Sequence, residues 1–208
     1  MKKLLFALFA VLFASASLFA QTTEEILARM DRETERFDQE GVSFVMELKI
    51  PLLGTVPSAV YMRGDKYKAV VNVKENASVS WSDGITEWDY NSSKNELTIK
   101  AASPSEESQA ESNMKMLDGV TDGYDVKLKK ETDEAWYFVC TKSKTNPRKD
   151  DPKKMDLVIS KSTYLPISTS VSEKGIRFTM RDFAIGVSEE EVTFNPDEYK
   201  DATIIDKR

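Results

Sequence analysis

Apolar and polar residues alternate with a period of two in many short runs along this chain, and no other sequence feature constrains its fold as strongly. In the clearest run, Val42, Phe44, Met46, Leu48 and Ile50 are separated by single, mostly polar residues. Because successive side chains of a strand point to opposite faces of its sheet, this run predicts a strand with one buried face.

Runs of the same kind continue along the chain and are mostly joined by short connections rich in Gly, Asp, Asn and Ser, which favours antiparallel pairing. A sheet of about ten or eleven strands tends to curl or close. The sequence therefore predicts a mainly β (α+β) fold, with one strongly curved or barrel-like antiparallel sheet and helices against it. The further runs lie at residues 57–63, 66–73, 77–81, 85–90, 95–100, 124–128, 135–141, 155–159, 167–171, 176–180, 183–187 and 192–194.

Two segments have helical periodicity instead. In residues 23–38, Ile26, Met30 and Phe37 recur at helical spacing after an acidic first turn, and Gly41 ends the segment. Residues 103–119 begin with Ser-Pro-Ser-Glu-Glu and end in Asp-Gly, which predicts a second helix. The polar and highly charged residues 142–154 predict a long exposed loop.

The first twenty residues are typical of a secretory signal peptide, because two lysines precede the apolar residues 4–13 and small residues follow. That apolar run is too short to span a membrane. Cleavage after Ala20 is the preferred interpretation, and cleavage after Ala16 is the alternative, since Ala14-Ser15-Ala16 fits the small-x-small rule better. Residues 21–208 show no internal repeat or composition shift, so we expect one exported, soluble domain.

Charge excludes some partner classes. Removing Lys2 and Lys3 from the 29 basic residues leaves 27 against 35 acidic ones, a net charge of −8. An acidic surface argues against binding nucleic acid and against electrostatic docking on anionic lipid.

Histidine and cysteine usage narrows the chemistry. The chain has no histidine, which removes His-based triads, the usual zinc sites and the commonest general base near neutral pH. A single cysteine excludes an intramolecular disulfide. Because Cys140 lies in an alternating run, we expect a buried structural thiol.

Carboxylates are the remaining candidates for catalysis or metal binding. Asp83, Asp118, Asp122 and Asp125 could form paired carboxylates or calcium ligands, but residues 118–125 lack the spaced donors and the bidentate Glu of an EF-hand. Asp-Gly pairs are common in turns, and this structural interpretation is preferred. We therefore expect that the chain is not an enzyme and that it binds no metal or cofactor. A hydrolase that uses Asp and Glu carboxylates stays an alternative.

Aromatic residues cluster around one Asp-Gly turn. Asp83-Gly84 predicts a hairpin, and Trp88 and Tyr90, two residues apart, would project from the same face of the following strand. Trp81, on the preceding strand, could lie on either face. A concave face lined by such residues would need a helix or a ligand to cover it.

Three segments resemble, in order and spacing, the periplasmic outer-membrane lipoprotein carrier (LolA-like) family. They are the hairpin DGITEWDYN at residues 83–91, the strand segment YMRGDKYK at residues 61–68, and VTFNP at residues 192–196 with the tail to residues 205–206. The resemblance covers essentially the whole chain after the signal peptide.

This resemblance implies an incomplete antiparallel β-barrel, with helices as a lid over a hydrophobic cavity for lipoprotein acyl chains. It implies a periplasmic, monomeric carrier that ferries acylated lipoproteins from the inner to the outer membrane. The implied partners are an inner-membrane lipoprotein-releasing transporter and an outer-membrane acceptor. A domain of the same fold that senses lipoproteins or binds another lipid is the alternative.

The resemblance also assigns roles to individual residues. Arg63 is implied to hold the lid closed through hydrogen bonds to backbone carbonyls, and Tyr67 to line the cavity or control its exit. The expected ligand-binding residues are Phe44, Met46, Arg63, Tyr67, Trp88 and Tyr90.

Overall fold

The computed structural model describes residues 21–73, 76–102, 119–149 and 151–208. Its helices are α1 (Thr23–Thr34), α2 (Arg36–Glu40), α3 (Glu189–Val192) and a 3-10 helix (Pro196–Tyr199). Its strands are β1 (Val42–Ile50), β2 (Gly54–Arg63), β3 (Lys66–Val73), β4 (Asn76–Ser82), β5 (Thr86–Asn91), β6 (Glu96–Ala101), β7 (Tyr124–Glu131), β8 (Ala135–Lys142), β9 (Lys154–Ser160), β10 (Pro166–Glu173), β11 (Ile176–Ile185) and β12 (Thr203–Asp206).

The twelve strands form one sheet, in the order β12-β6-β5-β4-β3-β2-β1-β11-β10-β9-β8-β7. The pairs are antiparallel, apart from the parallel pair of β12 and β6. In the described part of the chain, β12 and β7 end this order and do not pair with each other. The prediction of a mainly β chain with one antiparallel sheet that stays an incomplete barrel is confirmed.

One face of the sheet carries the hydrophobic core. Directly paired residues of neighbouring strands lie on the same face, so the pairing register assigns each residue to a face. Starting from Met46 of β1, the register follows this face through Met180, Thr169, Leu157, Phe138 and Leu128. We call this side of strands β1–β3 and β7–β11, which also carries Phe44, the apolar face.

The N-terminal helices cover part of the apolar face. A capping box starts α1, since the Glu25 amide donates to the Thr22 hydroxyl and the Thr22 amide donates to the Glu25 carboxylate. The buried Ile26 and Met30 of α1 pack on strands β8 and β9, and Phe37 of α2 packs on β1–β3. Burial of each such side chain stabilises the fold by about 1.5–3 kcal/mol.

Several boundary predictions need correction. The single helix over residues 23–38 is two helices with a turn at Glu35 between them. Residues 183–187 do not form a strand of their own, because β11 continues to Ile185. The strand predicted at residues 192–194 is wrong, since a second capping box, Ser188 with Glu191, starts the helix α3 there.

Two predicted segments lie outside the described residues, namely the signal peptide at residues 1–20 and the main part of the helix at residues 103–119. The connection predicted at residues 142–154 does join two strands, β8 and β9. The ammonium group of Lys142 organises it by donating to the carbonyls of Lys149 and Asp151, at 2.8 and 3.2 Å.

Candidate functional site

The apolar face is buried at one end of the sheet and exposed at the other. Along β1, the exposed fraction rises from 0% at Val42 and 3% at Phe44 to 38% at Leu48. Along the neighbouring β11, it rises from 4% at Met180 to 43% at Ile176. We call the end of the sheet with the turns at residues 51–53 and 174–175 the open end.

Two further strands expose apolar side chains on the same face. On β3, Tyr67 is buried, whereas Val73 at the open end is 47% exposed. On the edge strand β7, Leu128 is 43% exposed and pairs with the buried Phe138. Large apolar side chains of four strands are therefore exposed on the face that elsewhere forms the core. Those of β1, β3 and β11 lie at the open end, whereas Leu128 lies apart from them on the edge strand β7, beside the buried Phe138.

The opposite end of the apolar face is closed by a tight junction at Gly41. This residue has φ 78° and ψ 159°, in a region that glycine alone adopts readily. A Cβ atom there would lie 2.8 Å from the carbonyl oxygen of Met62 and 2.9 Å from the Cβ atom of Val187. The end of α2 thus touches β2 and the segment after β11 backbone to backbone.

Arg63 joins the same three segments. Its Nη1 atom donates to the carbonyl of Glu40, the last residue of α2, at 3.0 Å, and to the carbonyl of Val187 at 2.7 Å. Its Nε atom lies 3.7 Å from the carboxylate of Glu189. That carboxylate also accepts a hydrogen bond from Lys66, which together with the charges of Lys66 and Arg63 lowers the pKa of Glu189.

Tyr67 lies on the apolar face at its boundary with a polar region. Burial, with the nearby charges of Glu87 and Asp89, raises the pKa of Tyr67 to about 12. The two carboxylates accept hydrogen bonds from Lys100, at 3.0 and 3.1 Å, which raises the pKa of that ammonium group. On β4–β6, the same side of the sheet is therefore polar. Tyr67 of β3 pairs with Ser82 of β4, and Ser82 pairs in turn with Glu87 of β5.

Trp88 and Tyr90 do not share a face with Phe44 and Met46. The register from Phe44 runs through Val60, Ala69, Ser80 and Asp89. Trp88 and Tyr90, the two neighbours of Asp89, therefore point to the opposite side, and Trp81 pairs directly with Trp88 there. The expectation that all four residues line one cavity is wrong, because a residue's face depends on the register across every intervening strand.

The C-terminal segment covers these aromatic residues. Phe194 stacks on Trp88, with ring centroids 4.9 Å apart, and meets Trp81 edge to face at 5.4 Å. Tyr199 packs against Tyr90 at 4.7 Å. Sequence reasoning did not find these partners, although the turn residues between Val192 and Tyr199 were a signal that the chain folds back there.

A cleft of about 570 Å³ lies beside this aromatic cluster, between the sheet and the C-terminal segment. Its lining combines aromatic rings with carboxylates and one ammonium group. The residues that line it include Lys68, Trp81, Glu189, Glu190, Phe194 and Glu198.

Over residues 21–73, 76–102, 119–149 and 151–208, no group of three or more His, Cys, Asp or Glu residues could hold a metal ion. No helix within these ranges is long and apolar enough to cross a membrane. Cys140 is buried as predicted, and burial raises the pKa of its thiol to about 12.

No known family profile and no curated protein matches the sequence. Among solved structures, the chain is similar to an uncharacterized conserved protein from Thermus thermophilus, with 17% identity and a TM-score of 0.50 over 90% of this chain and 100% of the other. At this identity, the similarity shows a shared fold alone.

Two other similar structures have lower TM-scores. A LolA superfamily protein from Nitrosomonas europaea has 13% identity and a TM-score of 0.35 over 84% of this chain and 99% of the other. A chain of the Pseudomonas aeruginosa MucA/MucB complex has 13% identity and a TM-score of 0.38 over 83% of this chain and 60% of the other. These similarities establish neither a family nor a function for the chain.

Proposed function

We propose that this chain is an exported, periplasmic carrier that shelters the acyl chains of lipoproteins on its apolar face. The observation that carries the proposal is the group of water-exposed apolar side chains at the open end of the core-bearing face, on strands β1, β3 and β11. The LolA-like motifs in the sequence support the same function. We propose that the carrier receives lipoproteins at the inner membrane and delivers them to the outer membrane.

The physical chemistry of such a carrier needs no covalent step. Transfer of each acyl methylene from water to an apolar surface is worth about 0.8 kcal/mol, so a lipoprotein needs shelter to cross water. Leu48, Val73 and Ile176 would lose their own contact with water in the same event. Glu87 and Asp89 are both ion-paired with Lys100. This arrangement does not favour the alternative function, a carboxylate-based hydrolase.

We further propose that Arg63 latches α2 over the closed end of the apolar face. Its two hydrogen bonds to the carbonyls of Glu40 and Val187 hold α2 to strand β2 and to the segment after β11. Each such bond contributes about 1 kcal/mol net, so an incoming ligand could displace them and they could re-form after delivery. Tyr67, Phe44 and Met46 would lie beneath this lid.

Binding of a synthetic triacylated lipopeptide to residues 21–208 tests the proposal, with the same peptide lacking acyl chains as the reference. We expect binding of the acylated peptide only. The double substitution Leu48→Gln and Ile176→Gln should weaken it about a hundredfold, since each side chain contributes about 1–1.5 kcal/mol of apolar contact. Ile204→Gln is the matched control, because Ile204 is 59% exposed but lies on strand β12, away from the apolar face.

Equal binding of the acylated and unacylated peptides, or an equal loss in the Ile204 variant, would contradict the carrier function. Mass spectrometry of protein purified from the native periplasm then identifies the cargo. Recovery of acylated proteins supports a carrier. Recovery of free lipid alone would favour the alternative, a lipid-sensing domain of the same fold.

The same assay tests the latch. Arg63→Met should raise the affinity for the lipopeptide by up to about tenfold, because no hydrogen bonds would then oppose displacement of α2. Arg63→Lys, which keeps the charge but not the forked donors, should have an intermediate effect. An unchanged affinity in both variants would rule out the latch while leaving the acyl-binding face in place.

A further inference from the structure

The turn between β1 and β2 exposes apolar side chains to an unusual degree. Leu52 and Leu53, at its tip, are 106% and 79% exposed, and no other large apolar residue of the described chain is more exposed than Leu52. The turn is closed by a hydrogen bond from the Leu53 amide to the Ile50 carbonyl at 3.2 Å. A short, hydrogen-bonded hairpin therefore carries two leucines into the surroundings.

The backbone of this tip also favours other residues. Leu52 has φ 67°, in the left-handed region that Gly or Asn adopts at lower cost than a branched apolar residue. Neither solvation nor backbone conformation accounts for a leucine at this position. Burial against an apolar phase outside the chain would account for it.

A second hairpin tip supports the first one. Pro51 packs against Gly175 in the turn between β10 and β11, where a Cβ atom would lie 3.4 Å from the Pro51 ring. Ile176, 43% exposed, follows directly. The two tips therefore form one apolar end of the sheet, and this is the open end of the apolar face.

Basic residues lie beside these two tips. Lys49 and Arg177 are paired directly across β1 and β11, a like-charge arrangement that is unfavourable in water alone. Lys174 lies in the turn between β10 and β11, next to the acidic Glu173 at the end of β10. In residues 48–57 and 172–178 there are thus three basic residues and one acidic residue.

We propose that residues 51–53 insert into the surface of a membrane that contains anionic lipids, with Lys49, Lys174 and Arg177 against the headgroups. The net charge of −8 predicts the opposite for the whole molecule. However, charges farther away than the Debye length, about 8 Å at physiological salt, contribute little, so the local charge decides the contact. Docking in this orientation places the open end of the apolar face at the lipid surface, where an acyl chain could pass between them.

Vesicle binding without any lipopeptide tests this inference independently of the proposed carrier function. The probes are phosphatidylcholine vesicles with about one third phosphatidylglycerol, and neutral phosphatidylcholine vesicles. We expect the protein to sediment with the anionic vesicles, and binding to fall at least tenfold in about 0.5 M salt. The double substitution Leu52→Ser and Leu53→Ser should reduce binding at least tenfold, because the free energy gained by moving each leucine side chain from water into the membrane is lost.

Ile85→Ser is the matched control, because Ile85 is 78% exposed in the turn between β4 and β5, at the other end of the sheet. It should bind vesicles as the unchanged protein does. A nitrobenzoxadiazole dye attached through Leu52→Cys should become brighter on the anionic vesicles, and the buried Cys140 would stay unlabelled. Equal binding to neutral vesicles, an unaffected leucine double variant, or no binding at all would each overturn the proposal, and the last would indicate a protein partner instead.

Discussion

At the scale of single residues, the junction at Gly41 depends on the absence of a side chain. Both its backbone conformation and its surroundings exclude a Cβ atom, since the Met62 carbonyl oxygen would lie 2.8 Å away. Neither the Met62 backbone nor the Val187 backbone can move without disturbing a strand or the acceptor of Arg63. The glycine thus sets how closely α2 approaches the sheet.

Gly41→Ala should lower the free energy of unfolding by about 2–4 kcal/mol, because it combines backbone strain with a clash against main-chain atoms. Urea denaturation followed by circular dichroism measures this loss. The control is Gly64→Ala, at φ 54° but with no atom within 4 Å of the added Cβ, which should cost only about 1 kcal/mol. Equal losses in the two variants would show that packing at Gly41 plays no part.

At the scale of secondary structure elements, the strands could be predicted from the sequence because alternation and turn residues are local signals. The turn at Asp83 is an example, since its carboxylate accepts from the amides of Ile85 and Thr86 and Gly84 takes φ 84°, as the Asp-Gly pair predicted. Most strand positions followed from the same signals, whereas several strand limits did not, since β2 begins at Gly54 and β11 continues to Ile185.

The face to which each strand turns its aromatic residues could not be predicted in the same way. It depends on registers across several strands, and a shift of one residue reverses the result. Trp88 and Tyr90 therefore lie opposite Phe44, under the C-terminal segment. The exposure of Leu52 could not be predicted for a related reason. The sequence shows that a turn interrupts the strand, but it does not show what the turn contacts.

Removal of the Phe194 ring tests the role of the C-terminal segment as a cover. Phe194→Ala should lower the free energy of unfolding by about 2–3 kcal/mol, because the half-buried ring contacts Trp81, Trp88 and Tyr199. Tryptophan emission should shift to the red as water reaches the indole rings. Phe194→Leu, which keeps apolar volume, should lose less than half as much.

Because Phe194 and the apolar face lie on opposite sides of the sheet, lipopeptide binding by the Phe194→Ala variant should match that of the unchanged protein at temperatures where it is folded. A selective loss of lipopeptide binding would mean that the aromatic cluster, and not the apolar face, receives the acyl chains.

At the scale of the whole molecule, the ionisable groups predict how stability depends on pH. The chain has no histidine, so few side chains change charge between about pH 5 and 8, and stability should be nearly constant there. Hydrogen bonds from Arg208 lower the pKa of Asp206 to about 2. As the pH falls below about 4, Asp206 is therefore protonated in the unfolded state before it is protonated in the native state. Stability is lost on that side.

On the alkaline side, burial raises the pKa of Cys140 and the pKa of Tyr67, each to about 12. The unfolded state releases these protons at lower pH than the native state, so it binds fewer protons above about pH 9 and the free energy of unfolding falls as the pH rises. For the buried thiol, the loss should reach about 2–3 kcal/mol at pH 11. Urea denaturation in steps from pH 3 to pH 11 should therefore give a plateau with two descending sides. Cys140→Ala should lower the plateau but flatten the alkaline side, and an alkaline side of unchanged steepness would show that the thiol does not cause it.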